Sequence, residues 1–203
     1  TLLNDVDLCF SCINRLLVSH DLKPLDTLSQ YREVFTFPIE DYYKRVGFDF
    51  DKISFSMLAH EYMEDYQEKS YACDLHSDVL DVVNKAKNLG FSQTVLSASK
   101  MDYLLKQMET LHVDDLFDSI YGINDIYAKS KVELAHAFKQ TCSLDDEIYF
   151  VGDSVHDYEV AKSIGAKCIL VTTGHQNRAT LESVNVPVMD SLMESLDLIY
   201  ERD

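Results

Sequence analysis

The feature that most constrains the fold of this chain is an alternation of helical and strand-like segments that begins near Leu75. Helical segments closed by glycine alternate there with short apolar runs. The predicted strands are Thr94-Val95-Leu96, Ile120-Tyr121, Ile148 to Val151 and Cys168 to Val171. Such alternation is typical of a parallel sheet covered by helices on both faces, so the sequence predicts an α/β fold.

The first quarter of the chain has helical periodicity and no convincing strand. Apolar residues recur at helical spacing from Leu8 to Leu17, and further helices are predicted from Leu28 to Phe35, from Pro38, and around Phe55 to Tyr66. We therefore predict a helical module of residues 6–74, called the helical module below. The α/β core is predicted to comprise residues 1–5 and 75–203.

Charge and hydropathy exclude several classes of partner. The 203 residues include 35 acidic and 18 basic side chains, for a formal charge of −17, which repels nucleic acid and anionic membranes. No apolar stretch approaches the roughly 18 residues of a spanning helix, and the chain shows no signal peptide, so we predict a cytoplasmic protein. Five cysteines form no obvious disulfide framework, and we interpret Cys9-x-x-Cys12 as one face of a helix.

The strongest local motif is Gly152-Asp153-Ser154-x-x-Asp157, which directly follows a predicted strand. Ligands of parallel sheets gather at the carboxyl ends of strands, so Asp153 and Asp157 are expected to converge there. Two such carboxylates repel each other unless a cation lies nearby, and a hard ion such as Mg²⁺ suits oxygen ligands. The competing interpretation is an aspartate in a turn followed by one that caps a helix.

Two further positions carry candidate chemistry. Ser97 follows the strand Thr94-Val95-Leu96, where its hydroxyl and backbone N–H groups such as that of Ala98 are expected to form a small anion site before the next helix. The neighbouring Ser99 is interpreted as a helix cap. Lys131 lies in the first turn of a predicted helix, where a cation opposes the helix dipole; a solvated surface lysine is the common alternative, and Lys129 competes for the role.

Taken in order, Ser97, Lys131 and Gly152-Asp153-Ser154-x-x-Asp157 resemble the second, third and fourth motifs of the haloacid dehalogenase superfamily, and most of all its phosphoglycolate phosphatase-like branch. The segments Tyr31-Arg32-x-x-Phe35 and Asp41-Tyr42-Tyr43-x-x-x-Gly47-Phe48 fit the α-helical cap of that branch. The resemblance implies a Rossmann-like core with a small helical cap.

One departure from the family pattern concerns its first motif, a strand ending in Asp-x-Asp-Gly-Thr-Leu, whose first Asp is the nucleophile and whose second is the general acid/base. Thr1-Leu2-Leu3 matches the residues after the glycine of that motif. Asp5 and Asp7 have the Asp-x-Asp spacing but no preceding strand. Because the strand is central in the family's sheet, its loss would leave neighbouring strands unpaired. We therefore expect a strand with Asp-x-Asp-Gly before Thr1.

The resemblance implies a magnesium-dependent phosphatase that acts on a small phosphorylated metabolite through an aspartyl-phosphate. Asp153 and Asp157 would then serve the metal, and Asp157 would also be catalytic. Ser97 and Lys131 would bind the phosphoryl group and assist catalysis, with Ala98 as a further phosphate contact.

Two alternatives remain open at this stage. One is a catalytically inactive relative that keeps the phosphate and metal site but has no nucleophile. The other is a serine esterase with Ser154 as nucleophile, which needs a histidine base such as His156 or His175.

Overall fold

The fold comes from a computed structural model that describes residues 1–127 and 131–201. In these described ranges, four helices form within the first 70 residues and six form later in the chain. Their bounds are α1 (Val6–Ser19), α2 (Leu28–Val34), α3 (Ile39–Arg45), α4 (Phe55–Ser70), α5 (Val79–Asn88), α6 (Met101–Thr110), α7 (Val132–Lys139), α8 (Val155–Ser163), α9 (Arg178–Glu182) and α10 (Leu192–Tyr200). A 3₁₀ turn covers Asp114–Leu116. Within the described ranges, no helix combines the length and apolarity needed to cross a bilayer.

The described part of the chain has five strands that alternate with the later helices, and its neighbouring strands pair in parallel. Their bounds are β1 (Thr94–Lys100), β2 (Ser119–Ile123), β3 (Tyr149–Gly152), β4 (Lys167–Val171) and β5 (Val188–Met189). This arrangement confirms the α/β fold class. Consecutive parallel strands need a connection of a dozen or more residues, and in this protein helices form within those connections.

The strands form two separate sheets. One has the order β1-β2 and the other the order β3-β4-β5. In the described part of the chain, β1 and β3 share no ladder, although Leu96 of β1 packs in the same apolar cluster as Ile148 and Phe150 beside β3. Residues Cys168 to Val171 of β4 are buried, whereas the residues of β1 are mostly only half-buried. The sheet is therefore divided between β1 and β3.

The helical module has its own apolar core. Buried side chains of α1 to α4 meet in one cluster that includes Ile13, Leu17, Tyr31 and Leu58. The chain enters and leaves this module side by side, because Leu3 and Leu75 form an antiparallel bridge. Beside the bridge, the Asn4 N–H donates to the Asp74 carbonyl, and the His76 N–H donates to the Leu2 carbonyl. Two adjacent connections thus join the module to the strands.

Two local predictions need correction. Strand β1 does not end before Ser97 but continues to Lys100, because its register shifts and Lys100 pairs with Ile123. Ser99 therefore lies in the strand and does not cap α6, whose N-cap is Lys100. Helix α8 begins at Val155, where Ser154 and Asp157 form a capping box.

Candidate active site

Asp153 follows β3 at the carboxyl end of the second sheet and is buried. Its Oδ2 accepts a hydrogen bond from the backbone N–H of His175 at 3.1 Å. Its Oδ1 lies 2.8 Å from the Thr1 amino nitrogen and also accepts from the Thr1 hydroxyl. The carboxylate is thus held between the first residue of the chain and the loop after β4.

Asp157 lies one helical turn beyond Asp153 and is also buried. Its Oδ2 accepts from the backbone N–H of Asp153 at 3.1 Å and from the N–H and hydroxyl of Ser154 at 3.0 and 2.7 Å. Its Oδ1 receives the ammonium of Lys131. Asp157 therefore both caps α8 and pairs with a lysine, so the capping interpretation and the site interpretation are compatible.

Lys131 immediately precedes α7, and its side chain is only 11% exposed. Its ammonium also lies 5.7 Å from the centre of the Phe150 ring. A lysine held this way by a buried carboxylate is not a solvated surface residue. The competing Lys129 lies outside the described residues.

Two glycines allow the backbone to approach these carboxylates. A Cβ at Gly152 would lie 2.3 Å from Cβ of Asp157, and one at Gly174 would lie 2.0 Å from Oδ2 of Asp153. Real Cβ atoms do not approach that closely, so any side chain at either position would displace a site carboxylate.

The charge state of Asp153 follows from opposing effects. In the 203-residue chain, burial alone would raise the pKa of its carboxyl. The amino group of Thr1, which carries a charge only where the chain begins at Thr1, and the ring of His175 oppose this, so the net pKa lies well below its usual value. In that chain Asp153 is an ionised carboxylate in a protected position.

Ser97 lies on the other sheet. Its hydroxyl accepts the backbone N–H of Ser99 at 3.1 Å, and Ser97 and Ala98 line a pocket that His175 also lines. Since the backbone N–H of His175 bonds to Asp153, the pocket reaches the carboxylate group from the Ser97 side. The structure brings Asp153, Asp157 and Lys131 into direct contact, and within the described ranges no hydrogen bond joins Ser97 to them.

A second polar cluster lies where α1 meets the loop after β4. Asp5 accepts from the Tyr66 hydroxyl at 2.5 Å and from the Cys9 thiol at 3.5 Å, and it lies 3.5 Å from Nε2 of His175. Tyr31 Oη lies 2.8 Å from Nδ1 of that histidine. Burial acts to raise the pKa of Asp5, but His175 and Tyr66 outweigh it and lower the pKa to about 2.

Asp5, Cys9 and His175 place one potential ligand atom each within 4.8 Å of the others. Burial raises the pKa of the Cys9 thiol well above its usual value, so the sulfur stays protonated and donates to Asp5. The hydrogen bonds account for this cluster without an ion.

Donors already engage both carboxylates. Asp153 accepts from the His175 N–H, the Thr1 hydroxyl and the Thr1 amino group, whereas Asp157 accepts from four donors. Carboxylate and hydroxyl oxygens are the ligands that Mg²⁺ prefers, so a hard cation here would take the place of some of these donors. Asp153 lies beside the Thr1 hydroxyl and has fewer donors to exchange than Asp157.

The pocket beside Ser97 lies between the helical module and β1 and holds about 220 Å³. Its wall is mainly aromatic and includes Tyr31, Tyr42, Tyr43 and Tyr62 from the helical module. Tyr42 and Tyr43 also belong to the core of the module. These side chains therefore act both as core and as a pocket wall.

Sequence reasoning named His175 only as a possible base for the esterase alternative and did not otherwise select the loop after β4. Gly174 makes room for Asp153, His175 binds it, and Gln176 accepts from Val155 N–H while donating to the Phe35 carbonyl. The signal that could have found them is the position of this loop at the carboxyl end of a predicted strand, the same rule that selected Asp153.

The esterase alternative lacks the necessary geometry. The Ser154 hydroxyl donates to Asp157, and the ring of His156 stacks on Phe37 with centres 5.0 Å apart. Nδ1 of His175 faces Tyr31. Within the described ranges no histidine contacts Ser154, so it has no general base.

Comparison with known proteins gives the same assignment. A domain model described as haloacid dehalogenase-like hydrolase matches residues 1–171, whereas no curated protein sequence matches. A haloacid dehalogenase-like family hydrolase from Streptococcus pneumoniae superposes with a TM-score of 0.82 at 19% identity over 98% of this chain and 93% of its own.

Two further structures superpose over nearly the whole chain. A protein from Clostridium acetobutylicum named as a phosphatase by prediction superposes with a TM-score of 0.83 at 18% identity, over 99% of this chain and 94% of its own. A protein from Lactobacillus delbrueckii named as a phosphoglycolate phosphatase on the same basis superposes with a TM-score of 0.74 at 14% identity, over 98% of this chain and 94% of its own. The ordered motifs, the parallel fold and the match over residues 1–171 together establish that this chain belongs to the haloacid dehalogenase-like hydrolase family.

Proposed function

We propose that the protein is a magnesium-dependent phosphatase that hydrolyses a small phosphomonoester. The observation that carries this proposal is the contact between Lys131 and Asp157, which are joined through hydrogen bonds to Asp153 at the end of β3. One fixed cation and one ionised carboxylate at a sheet edge suit a phosphoryl group and its counter-ion. The neighbours named as phosphatases are consistent with this chemistry.

The residues of this chain would act mainly by binding and positioning. Lys131 would bind a phosphoryl oxygen, and the Ser97 hydroxyl and Ala98 N–H would bind another. Asp157 would hold Lys131 and the turn at Asp153 in place, and so contribute to catalysis without touching the substrate. Asp153 would hold Mg²⁺, which when bound offsets negative charge on the phosphoryl oxygens.

The nucleophile is proposed to lie outside the 203 residues, on a strand that precedes Thr1. Asp5 is committed to hydrogen bonds with Tyr66 and Cys9, and Asp7 is exposed on α1, so neither suits the role. The separation of β1 from β3 supports the proposal, because among the described residues each of these strands has one edge without a ladder partner.

In the proposed reaction, a carboxylate of that strand attacks phosphorus and the ester P–O bond breaks. A second carboxylic acid protonates the departing oxygen. Water then hydrolyses the aspartyl-phosphate, which releases inorganic phosphate and restores the carboxylate. We further propose that residues 6–74 act as a cap over a core of residues 1–5 and 75–203. The protein is expected to act in the cytoplasm on a small phosphorylated metabolite.

The test is phosphate release by the protein that includes the residues preceding Thr1, measured with and without Mg²⁺ on a panel of small phosphomonoesters. We expect magnesium-dependent turnover that Asp153→Asn abolishes and that Asp7→Asn leaves unchanged. Turnover lost in Asp7→Asn would instead place the nucleophile on α1. Phosphate binding without turnover would favour an inactive phosphate-binding relative.

A further inference from the structure

The aromatic pocket, defined by the roughly 220 Å³ space between the helical module and β1, has a wall that restricts what can occupy it. Nine of its described wall residues are tyrosine or phenylalanine. An apolar cavity of about 150 Å³ is large enough to bind benzene, so this space holds one substituted ring. Ser97 and Ala98 lie in the same wall, so a group attached to a phosphate bound there would extend into the pocket.

Charge is almost absent from that wall. None of the described wall residues from the helical module is charged. On the core side, Lys100 and His175 lie in the wall. The Lys100 ammonium is paired with Asp102 at 2.9 Å, and the ring nitrogens of His175 face Tyr31 at 2.8 Å and Asp5 at 3.5 Å. A carboxylate placed among the aromatic rings would lose hydration without gaining a free cation in this part of the wall, which is costly.

Tyr42 presents its ring, and not its hydroxyl, to the pocket. It lines the pocket from α3 of the helical module, whereas Ser97 lines it from β1. Its hydroxyl oxygen is buried and has no hydrogen-bond partner among the described residues. A ligand in the pocket therefore meets the apolar ring of Tyr42.

We infer that this pocket selects phosphomonoesters whose leaving group is a single uncharged aromatic ring. The inference rests on the proposed phosphatase function and narrows its substrate class. It differs from a phosphoglycolate-like substrate, because the carboxylate of that substrate would lie against uncharged aromatic side chains.

Binding and turnover are tested separately. Binding uses two phosphonates that cannot be hydrolysed, phenylphosphonate and phosphonoacetate, measured by calorimetry on the protein with its preceding residues and Mg²⁺. We expect phenylphosphonate to bind at least roughly tenfold more tightly than phosphonoacetate, because the pocket removes its ring from water. Equal affinity or a preference for phosphonoacetate would overturn the inference.

Variants locate the selectivity in the pocket. Ala59 is buried in α4 and lines the space, so Ala59→Phe should fill it and remove the preference for phenylphosphonate while leaving phosphonoacetate binding within about twofold. If both ligands weaken alike, the ring does not bind there.

Turnover measurements separate the inference about ring selectivity from the phosphatase proposal. Faster hydrolysis of phosphoglycolate than of phenyl phosphate would overturn the inference and leave the phosphatase proposal intact. If no ester releases phosphate, the phosphatase proposal fails, and the phosphonate affinities still decide whether the pocket selects a ring.

Discussion

The two sheets of this protein differ in how fully they are built. In the β3-β4-β5 sheet, β4 has a partner on each side and is buried, and the adjacent Asp157 has four hydrogen-bonding or ionic contacts. In the β1-β2 sheet, the strands are half-buried, and the register shifts between Leu96 and Lys100, the segment that contains Ser97. The carboxylate side of the site is therefore fixed within this chain, whereas the Ser97 side borders an unpaired edge.

The largest effect on stability is expected for Asp157→Ala. The substitution leaves Lys131 without its buried partner and removes the acceptor of three further hydrogen bonds. The free energy of unfolding should therefore fall by about 3–5 kcal/mol. Urea unfolding measures it. As a control, Asp41→Ala removes an exposed pair with Lys44 and should cost at most about 1 kcal/mol. Equal losses in the two variants would mean that the second sheet does not fix Asp157 as described.

The next effect concerns the cation. Lys131→Ala should lower kcat/KM by about 100-fold and weaken inhibition by inorganic phosphate, because the ammonium pairs with phosphoryl charge in both the ground state and the transition state. Phosphate release and its inhibition measure both quantities. Lys129→Ala serves as the comparison. If that variant loses activity while Lys131→Ala keeps it, the phosphate-binding lysine is Lys129.

A smaller effect should appear in the pH dependence of stability, through the contact between α1 and the loop after β4. The pKa of Asp5 is lowered from 3.8 to about 2 in the folded protein, so its ionised form stabilises the fold above pH 4. That contribution, about 2 kcal/mol, is lost as the pH falls from about 4 to about 2.

Unfolding of the wild type and of Asp5→Asn across that pH range isolates the contribution. The difference between them should be largest above pH 4 and shrink toward pH 2. A difference that does not change with pH would show that Asp5 stabilises the protein by packing alone.

The smallest effect is expected on the first sheet. Ser97→Ala should lower kcat/KM by roughly tenfold through loss of one phosphate contact, yet change stability by no more than about 0.5 kcal/mol because Ser97 is only half-buried. The exposed Ser92 before β1 provides the control, and Ser92→Ala should change neither quantity. A large loss of stability in Ser97→Ala would mean that this edge is as firmly built as the second sheet.

The sequence was sufficient for features that depend on local pattern. Apolar runs located β1 to β4 to within a few residues but did not indicate the two-residue β5, and the position of Asp153 after β3 followed from the rule for parallel sheets. It was insufficient where long-range pairing decides, as at Ser97, where pairing of Lys100 with Ile123 extends a strand through small polar residues. The contacts of His175 with Asp153 and Asp5 also join residues far apart in the chain, so no local spacing indicated them.

The central claim is that a strand preceding Thr1 joins the two sheets. Hydrogen exchange read by mass spectrometry tests it directly, comparing β1 and β3 with β4 in the 203-residue chain and in the protein that includes its preceding residues. The account predicts that β1 and β3 exchange faster than β4 in the shorter chain, and that both slow to the rate of β4 in the longer one. Exchange at β1 and β3 that is the same in both chains would contradict it.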